Sequence, residues 1–382
     1  MKKQEQNTKN STKLSATKGR AMLDWYGKRA PKSIEWFPAQ EKEVYGDEKA
    51  KDWNSIFWGD NKQVLSHLLK DYRGKVDLIY IDPPFDSKAD YVKKIKLNGQ
   101  KIEGLDQGLL EQMQYTDIWE KDEYLQFMYE RLILLRELLS DTGSIYLHCD
   151  WHKNSHIRLM MDEVFGEDNL INEIVWGYRI QGVGKTTWAR KHDTIYAYSK
   201  TPKYFFKPMK ERVIYQKPFI DTGVIPVDMS KLSDKDISLI QKSLKNKTSL
   251  PVRLKDKLFD TYYSDVYVRD VWDHDDTKPL ISGSSEYLDY PTQKPEGLIE
   301  RILKGSTREG DIVMDCFMGS GVTCAVAQKL GRRFIGCDIN KGSVITTTER
   351  LNKILLEQKK DKTSEDEDWK GLNTFKVHNV NH

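Results

Sequence analysis

Between Gly310 and Asn340 the chain runs as strand, glycine turn, helix and second strand, and few folds accommodate that order. Apolar runs predict the first strand over Ile312 to Met314, the helix over Val322 to Leu330 and the second strand over Phe334 to Cys337. Gly319 and Gly321 let the backbone turn sharply and come close to a ligand, as in nucleotide-binding βαβ units. Asp338 closes the second strand about 20 residues beyond the turn, where such units hold ribose hydroxyls. The expectation is an α/β protein with an adenosine site at the carboxyl edge of its sheet.

Asp315 separates this site from a dinucleotide site. A carboxylate just before the glycine loop repels a pyrophosphate but suits a ligand carrying an ammonium or sulfonium group. Phe317 adds an aromatic face for such a cation. The implied cofactor is S-adenosyl-L-methionine.

A second segment, Lys75 to Phe85, ends a strand-like run in Asp82, Pro83, Pro84 and Phe85. Val76 to Ile81 is apolar enough for an interior parallel strand. Asp82 then sits at its carboxyl end, where open α/β sheets place ligands. The two prolines remove backbone donors and leave carbonyls that only accept. An acid and a proline carbonyl can take both hydrogens of an exocyclic amine while Phe85 stacks on its ring.

Taken together, these motifs resemble the amino-methylating DNA methyltransferases, in particular the permuted β group, in which the catalytic motif precedes the cofactor motif. Asp82 to Phe85 matches the catalytic tetrad and Asp315 to Gly321 the cofactor loop. Tyr290 to Pro295 matches the segment leading a helix onto the methionine end of the cofactor. Phe57 to Asp60, Gly143 to Asp150 and Phe165-Gly166 add to the likeness, which runs from about Ile56 to Leu351 with a gap in the middle. It departs at Val322, where a threonine is usual; Thr323 remains.

The resemblance implies a Rossmann-like, mostly parallel S-adenosylmethionine-dependent methyltransferase sheet with its last strands antiparallel and an inserted target-recognition region. It assigns catalysis to Asp82, Pro83, Pro84 and Phe85. Cofactor contacts fall to Asp60, Thr292, Lys294, Pro295, Asp315, Phe317, Gly319, Ser320, Gly321, Thr323 and Asp338. Asp60 is expected at the adenine amine, Asp338 at the ribose and Asp315 at the methionine end. His148 and Asp150 are expected to be structural. The implied reaction is methyl transfer to adenine N6 in duplex DNA, with cytosine N4 as the first alternative and an RNA methylase or a non-catalytic DNA-binding relative as the others. Cytosine C5 chemistry needs a thiolate from a Pro-Cys pair, and no cysteine here follows a proline.

Five segments are expected. A basic flexible arm spans 1–32, with nine Lys or Arg against Glu5 and Asp24. The catalytic half spans 33–200, a target-recognition insertion 201–270, the cofactor half 271–357 and a charged extension 358–382. Residues 201–260 hold 13 Lys or Arg against 7 Asp or Glu, so DNA contact is expected from local patches, since net charge is only +3. Two strands, Glu173 to Arg179 and Thr194 to Ser199, bracket a loop in which Lys185, Trp188, Arg190 and Lys191 are expected to face DNA. Gly182 to Thr187 looks like a phosphate-binding loop, but Arg179 stands where that pattern needs glycine.

No apolar run is long enough for a membrane span, and no signal-peptide core opens the chain. A cytoplasmic, nucleoid-associated protein of a prokaryote or phage is expected, with reduced cysteines and no metal site. Its partner would be double-stranded DNA. The resemblance leaves open a homodimer or a restriction-system partner subunit.

Overall fold

The computed structural model describes residues 22–47, 54–84, 95–97, 100–102, 123–178, 186–215, 223–225, 232–246, 254, 261–281, 283–290, 292–361 and 374–380. In chain order the first strands are β1 (Gln40–Tyr45), β2 (Asn54–Trp58), β3 (Val76–Ile81), the short β4 (Ile95–Leu97) and β5 (Gln100–Ile102), and β6 (Leu139–Cys149). They are followed by β7 (Leu170–Gly177), β8 (His192–Ser199), β9 (Lys210–Tyr215), β10 (Gly223–Ile225) and β11 (Thr261–Tyr267). The last are β12 (Val271–Trp272), β13 (Ile312–Asp315), β14 (Arg333–Asp338) and β15 (Phe375–Asn379). The helices are α1 (Asn61–Tyr72), α2 (Glu123–Leu138), α3 (Asn154–Phe165), α4 (Asp234–Asn246), α5 (Glu296–Ser306), α6 (Val322–Lys329) and α7 (Lys341–Asp361).

Ten strands form one sheet in the order β1-β15-β2-β14-β13-β3-β6-β8-β7-β12. From β15 to β6 every pairing is parallel. β8 runs antiparallel to both β6 and β7, and β12 returns parallel to β7. β1 pairs antiparallel with β15 at one edge; toward the other, the antiparallel β8 lies inside the sheet, and the edge expected to end in a hairpin is extended by two residues of β12.

Alternation along the central strands divides the core. Ile79, Ile81, Ile145 and Leu147 pack on one face with Leu65 of α1, Leu132 of α2 and Met160 of α3. Leu78, Tyr80 and Tyr146 pack on the other with Ile299 of α5, Ala325 of α6 and Leu351 of α7. Side chains two apart share a face, so an interior strand must be apolar on both, which is why Val76 to Ile81 reads as one unbroken run. Asp82 continues the Tyr80 face and emerges toward α5.

Two segment boundaries need correction. Residues 22–32, expected in a flexible arm, are docked: Trp25 is buried, meets Tyr129 edge-on at 5.4 Å and donates to Gln126 at 3.3 Å, while Lys28 pairs with Glu163 at 2.7 Å. The expected charged extension returns to the sheet as β15, between β1 and β2. Phe375 is fully buried and stacks on Tyr45 at 4.7 Å. Charge on the preceding residues concealed this short alternation.

Within 201–270, β9, β10 and β11 form a separate antiparallel sheet in the order β10-β11-β9. Ser233 and Asp236 exchange hydrogen bonds at the start of α4, so the helix begins at the predicted capping box. No helix among the described residues is long and apolar enough to cross a membrane. All four cysteines are buried free thiols.

Candidate active site

The carboxyl ends of β3, β13 and β14 bring Asp82, Asp315 and Asp338 to one cavity of about 250 Å³. Tyr80, Pro84, Phe317, Gly319 and Ser320 contribute to its wall, and Tyr290, Thr292 and Lys294 approach from the segment before α5. Pro83 is buried beside them. Phe85 and Lys185 lie outside the described residues.

Asp82 is the most informative of the three acids. The Lys294 ammonium sits on its Oδ2, and the other oxygen, Oδ1, is buried with no hydrogen-bond partner among the described residues. A buried carboxylate oxygen left unpaired costs free energy unless something supplies a donor, so Oδ1 is free to accept an N–H from a ligand in the cavity. Lys294, expected on the cofactor, lines this cavity and pairs there with Asp82.

Asp315 is 2 % exposed. Burial pushes its carboxyl from 3.8 up to about 7, and nearby Asp82 and Asp338 push the same way. Hydrogen bonds from Thr323 Oγ1 at 2.6 Å and the Phe317 N–H at 2.9 Å oppose that rise. Thr323 thus holds Asp315 from behind and does not line the cavity. Val322 lines it, where the absent threonine would otherwise stand.

Asp338 accepts from the Gly319 N–H at 3.0 Å and the Asn340 N–H at 2.8 Å, which ties the second strand to the glycine loop. Gly321 caps α6 at φ 72°, and a Cβ there would come within 2.4 Å of Thr347. Only glycine meets both demands.

Thr292 also has positive φ, at 60°. A β-branched residue in that conformation costs on the order of 1–3 kcal/mol and persists only where its surroundings hold it. Gln293 bonds Leu288 at 3.0 Å and Glu286 at 2.7 Å, and the Tyr290 hydroxyl meets Ser343 at 2.8 Å. Pro295 is the N-cap residue of α5. Glu296 anchors that helix by ion pairs to Lys329 at 2.6 Å and Arg350 at 2.7 Å.

Asp60, expected at an adenine amine, is not on the cavity wall. It caps α1, accepting from Lys62 at 2.9 Å and Gln63 at 3.3 Å, and its other oxygen pairs with Arg131 at 3.0 Å. An acid directly before a helix is drawn to the free N–H groups there.

Sequence reasoning missed Tyr80, although its position two residues before Asp82 was the available signal. Its hydroxyl meets His148 at 3.1 Å, His148 meets Asp193 at 3.1 Å, and Tyr178 donates to Asp193 at 3.3 Å. His148 is fully buried in this chain of contacts. Asp150 bonds His152 at 2.5 Å. In the loop before β8, Trp188 and Arg190 are exposed, and the Lys191 carbonyl accepts from Tyr178 at 2.9 Å.

Fold and site together define an open α/β protein with a nucleotide-type cavity at the carboxyl edge of its sheet. More narrowly, a family model described as DNA methylase, of the N6/N4 kind, matches residues 76–349, and the chain belongs to that family. It is 27% identical to the type II methyltransferase M.EcaI of Enterobacter cloacae, over 78% of this chain and 69% of that one. It is 27% identical to the DNA adenine methyltransferase YhdJ of Escherichia coli K12, over 78% and 82%. With the probable type III restriction-modification enzyme HindVI Mod subunit of Haemophilus influenzae it shares 24%, over 79% of this chain but only 50% of the relative, so it spans about half that protein's length. Among solved structures, the M1.HpyAVI–SAM complex aligns with 78% of this chain and 98% of its own at 19% identity, with a TM-score of 0.44.

Proposed function

We propose that this chain methylates the N6 amine of an adenine extruded from duplex DNA, with S-adenosylmethionine as donor. The observation that carries the reading is the unpartnered Asp82 Oδ1 on the cavity that also holds Asp315 and Asp338.

The lining residues fit that donor. Three acids face the cavity and, among the described residues, Lys294 is the only Lys or Arg on its wall, so the wall favours a cationic ligand. Asp338 would take ribose hydroxyls, and Asp315 and Phe317 the methionine end. When bound, the donor supplies an electrophilic methyl group on a sulfonium centre.

The chain's own residues prepare the amine. A base stacked in a duplex cannot reach a sheet-edge cavity, so it must leave the stack at a cost of about a few kcal/mol. Its amino lone pair is delocalised into the ring. Asp82 Oδ1 accepts one amine hydrogen and, with a proline carbonyl, draws the nitrogen toward tetrahedral geometry, freeing the lone pair. Lys294 holds the opposite oxygen and fixes the acceptor's direction. The proton leaving the methylated nitrogen passes to Oδ1. Positioning and charge stabilisation account for the catalysis, without a covalent intermediate.

Trp188, Arg190 and Lys191, and the basic segment that includes β9 to β11, are the proposed DNA contacts. Relatives named as Mod subunits support a further proposal, a restriction-system partner subunit. Mass spectrometry of nucleosides from duplex DNA incubated with protein and donor tests the reaction. N6-methyladenine is expected; N4-methylcytosine alone would overturn the adenine assignment.

The donor's affinity should depend on pH through Asp315. Its carboxyl keeps a proton up to about pH 7 in the folded protein, and a cation prefers the ionised form. Below pH 7 the association constant should fall by about tenfold per unit, and above it should level off. Folding stability moves the other way: with the folded value raised above the unfolded one, the contribution of Asp315 is complete below about pH 4 and is lost as pH rises through 7. Calorimetric titration from pH 5.5 to 8.5 checks the first trend, and a flat profile would remove Asp315 from the donor site.

A further inference from the structure

We infer that Trp188 enters the gap left in the base stack when the target base is extruded. The inference rests on the amine-methylation reading and names the group that makes extrusion affordable.

Topology places the side chain. β8 is antiparallel to β6 with Thr194 opposite Cys149, so the residues before His192 emerge at the edge where β6 ends. β6 neighbours β3, at whose end Asp82 stands. Adjacent strands lie roughly 4.8 Å apart, so the loop rises about 10 Å to the side of Asp82, on the scale of a nucleotide's swing out of a helix.

The surface chemistry selects the occupant. Trp188 is 96% exposed, and residues 186–190 are all exposed. Tryptophan is highly buried on average, so an indole left almost wholly in water stands out. Its neighbours are cationic: Arg190 and Lys191 follow it, and no acid occurs from Thr186 to His192. The Arg190 guanidinium lies 3.6 Å from the ring centroid of Trp151, which is 43% exposed on the turn after β6. A free indole beside a stacked arginine offers a π-face for bases and positive charge for the flanking phosphates. An apolar protein groove would not call for that charge.

Extrusion leaves two bases without a neighbour. An indole sliding between them restores two stacking faces at the moment they are lost, and the arginine platform steadies the adjacent backbone.

The experiment compares the full-length wild type with Trp188→Ala and Trp188→Phe on two unmethylated duplexes carrying the target site. In one the target adenine is paired with thymine; in the other it faces an abasic position and is already loosened. Trp188→Ala should lower kcat/KM on the paired duplex by about 10- to 100-fold, the scale of one base–aromatic stack. On the loosened duplex the loss should be several times smaller, and Trp188→Phe should recover most of the rate on both. Equal losses on both duplexes, or no loss on either, would overturn the proposal. Should the wild type methylate neither duplex, the methylation reading fails and binding alone decides: a duplex with an abasic gap in place of the target should bind the wild type more tightly than an intact one. Absence of that preference, or its survival in Trp188→Ala, would then refute the wedge.

Discussion

Asp82→Ala should lower the rate of DNA methylation by at least about 10³-fold while leaving duplex binding within a few-fold of wild type. The acceptor it removes acts on the amine only when the base is already in the cavity, so encounter with DNA does not depend on it. Asp82→Asn is the sharper companion. It keeps the volume but places an amide N–H₂ near a lysine ammonium and a substrate amine, so at least one of these donors faces another donor. Both variants should be nearly inactive, with gel-shift affinity and donor binding preserved. An Asp82→Ala protein that methylates at the wild-type rate would end the assigned role.

The second large effect is expected at Lys294. Its side chain is 8% exposed and that of Asp82 18%, so the pair is largely removed from water. Lys294→Met keeps the length of the side chain and deletes the charge. A carboxylate confined without its counter-charge destabilises the fold by up to about 3 kcal/mol. It also loses the contact that sets the direction of Oδ1, so kcat should fall by about 10²-fold. The donor's KM should change much less. If Lys294 served the cofactor, as its motif had implied, the pattern would invert, with a raised donor KM and a nearly intact kcat. Steady-state kinetics in donor and DNA, with a thermal melt of the same preparation, separates the two.

The two sites of largest effect differ in how far they could be read from the chain. The position of Asp82 was legible because a strand, its terminal acid and two prolines are contiguous. The same holds for Asp315, Gly319 and Asp338 within one βαβ unit. The partner of Asp82 is 212 residues away, and no local pattern connects Lys294 to it. Asp60 is the opposite case. It looks like the other strand-end acids, but the helix directly after it offers N–H groups, and Arg131 from α2 takes its remaining oxygen.

Wherever local patterning sets backbone conformation, the linear order of residues was enough. It determined the parallel α/β class, the strand-end acids, the glycine loop and the start of α4, because alternation, turn chemistry and capping act over only a few residues. Folding in three dimensions decided which acid keeps an unpaired oxygen, which lysine restrains it, that Trp25 docks, and that Phe375 to Asn379 closes the sheet between β1 and β2. Those outcomes depend on which distant groups compete for the same buried donors, acceptors and apolar area, and that competition exists only once the chain has brought them together.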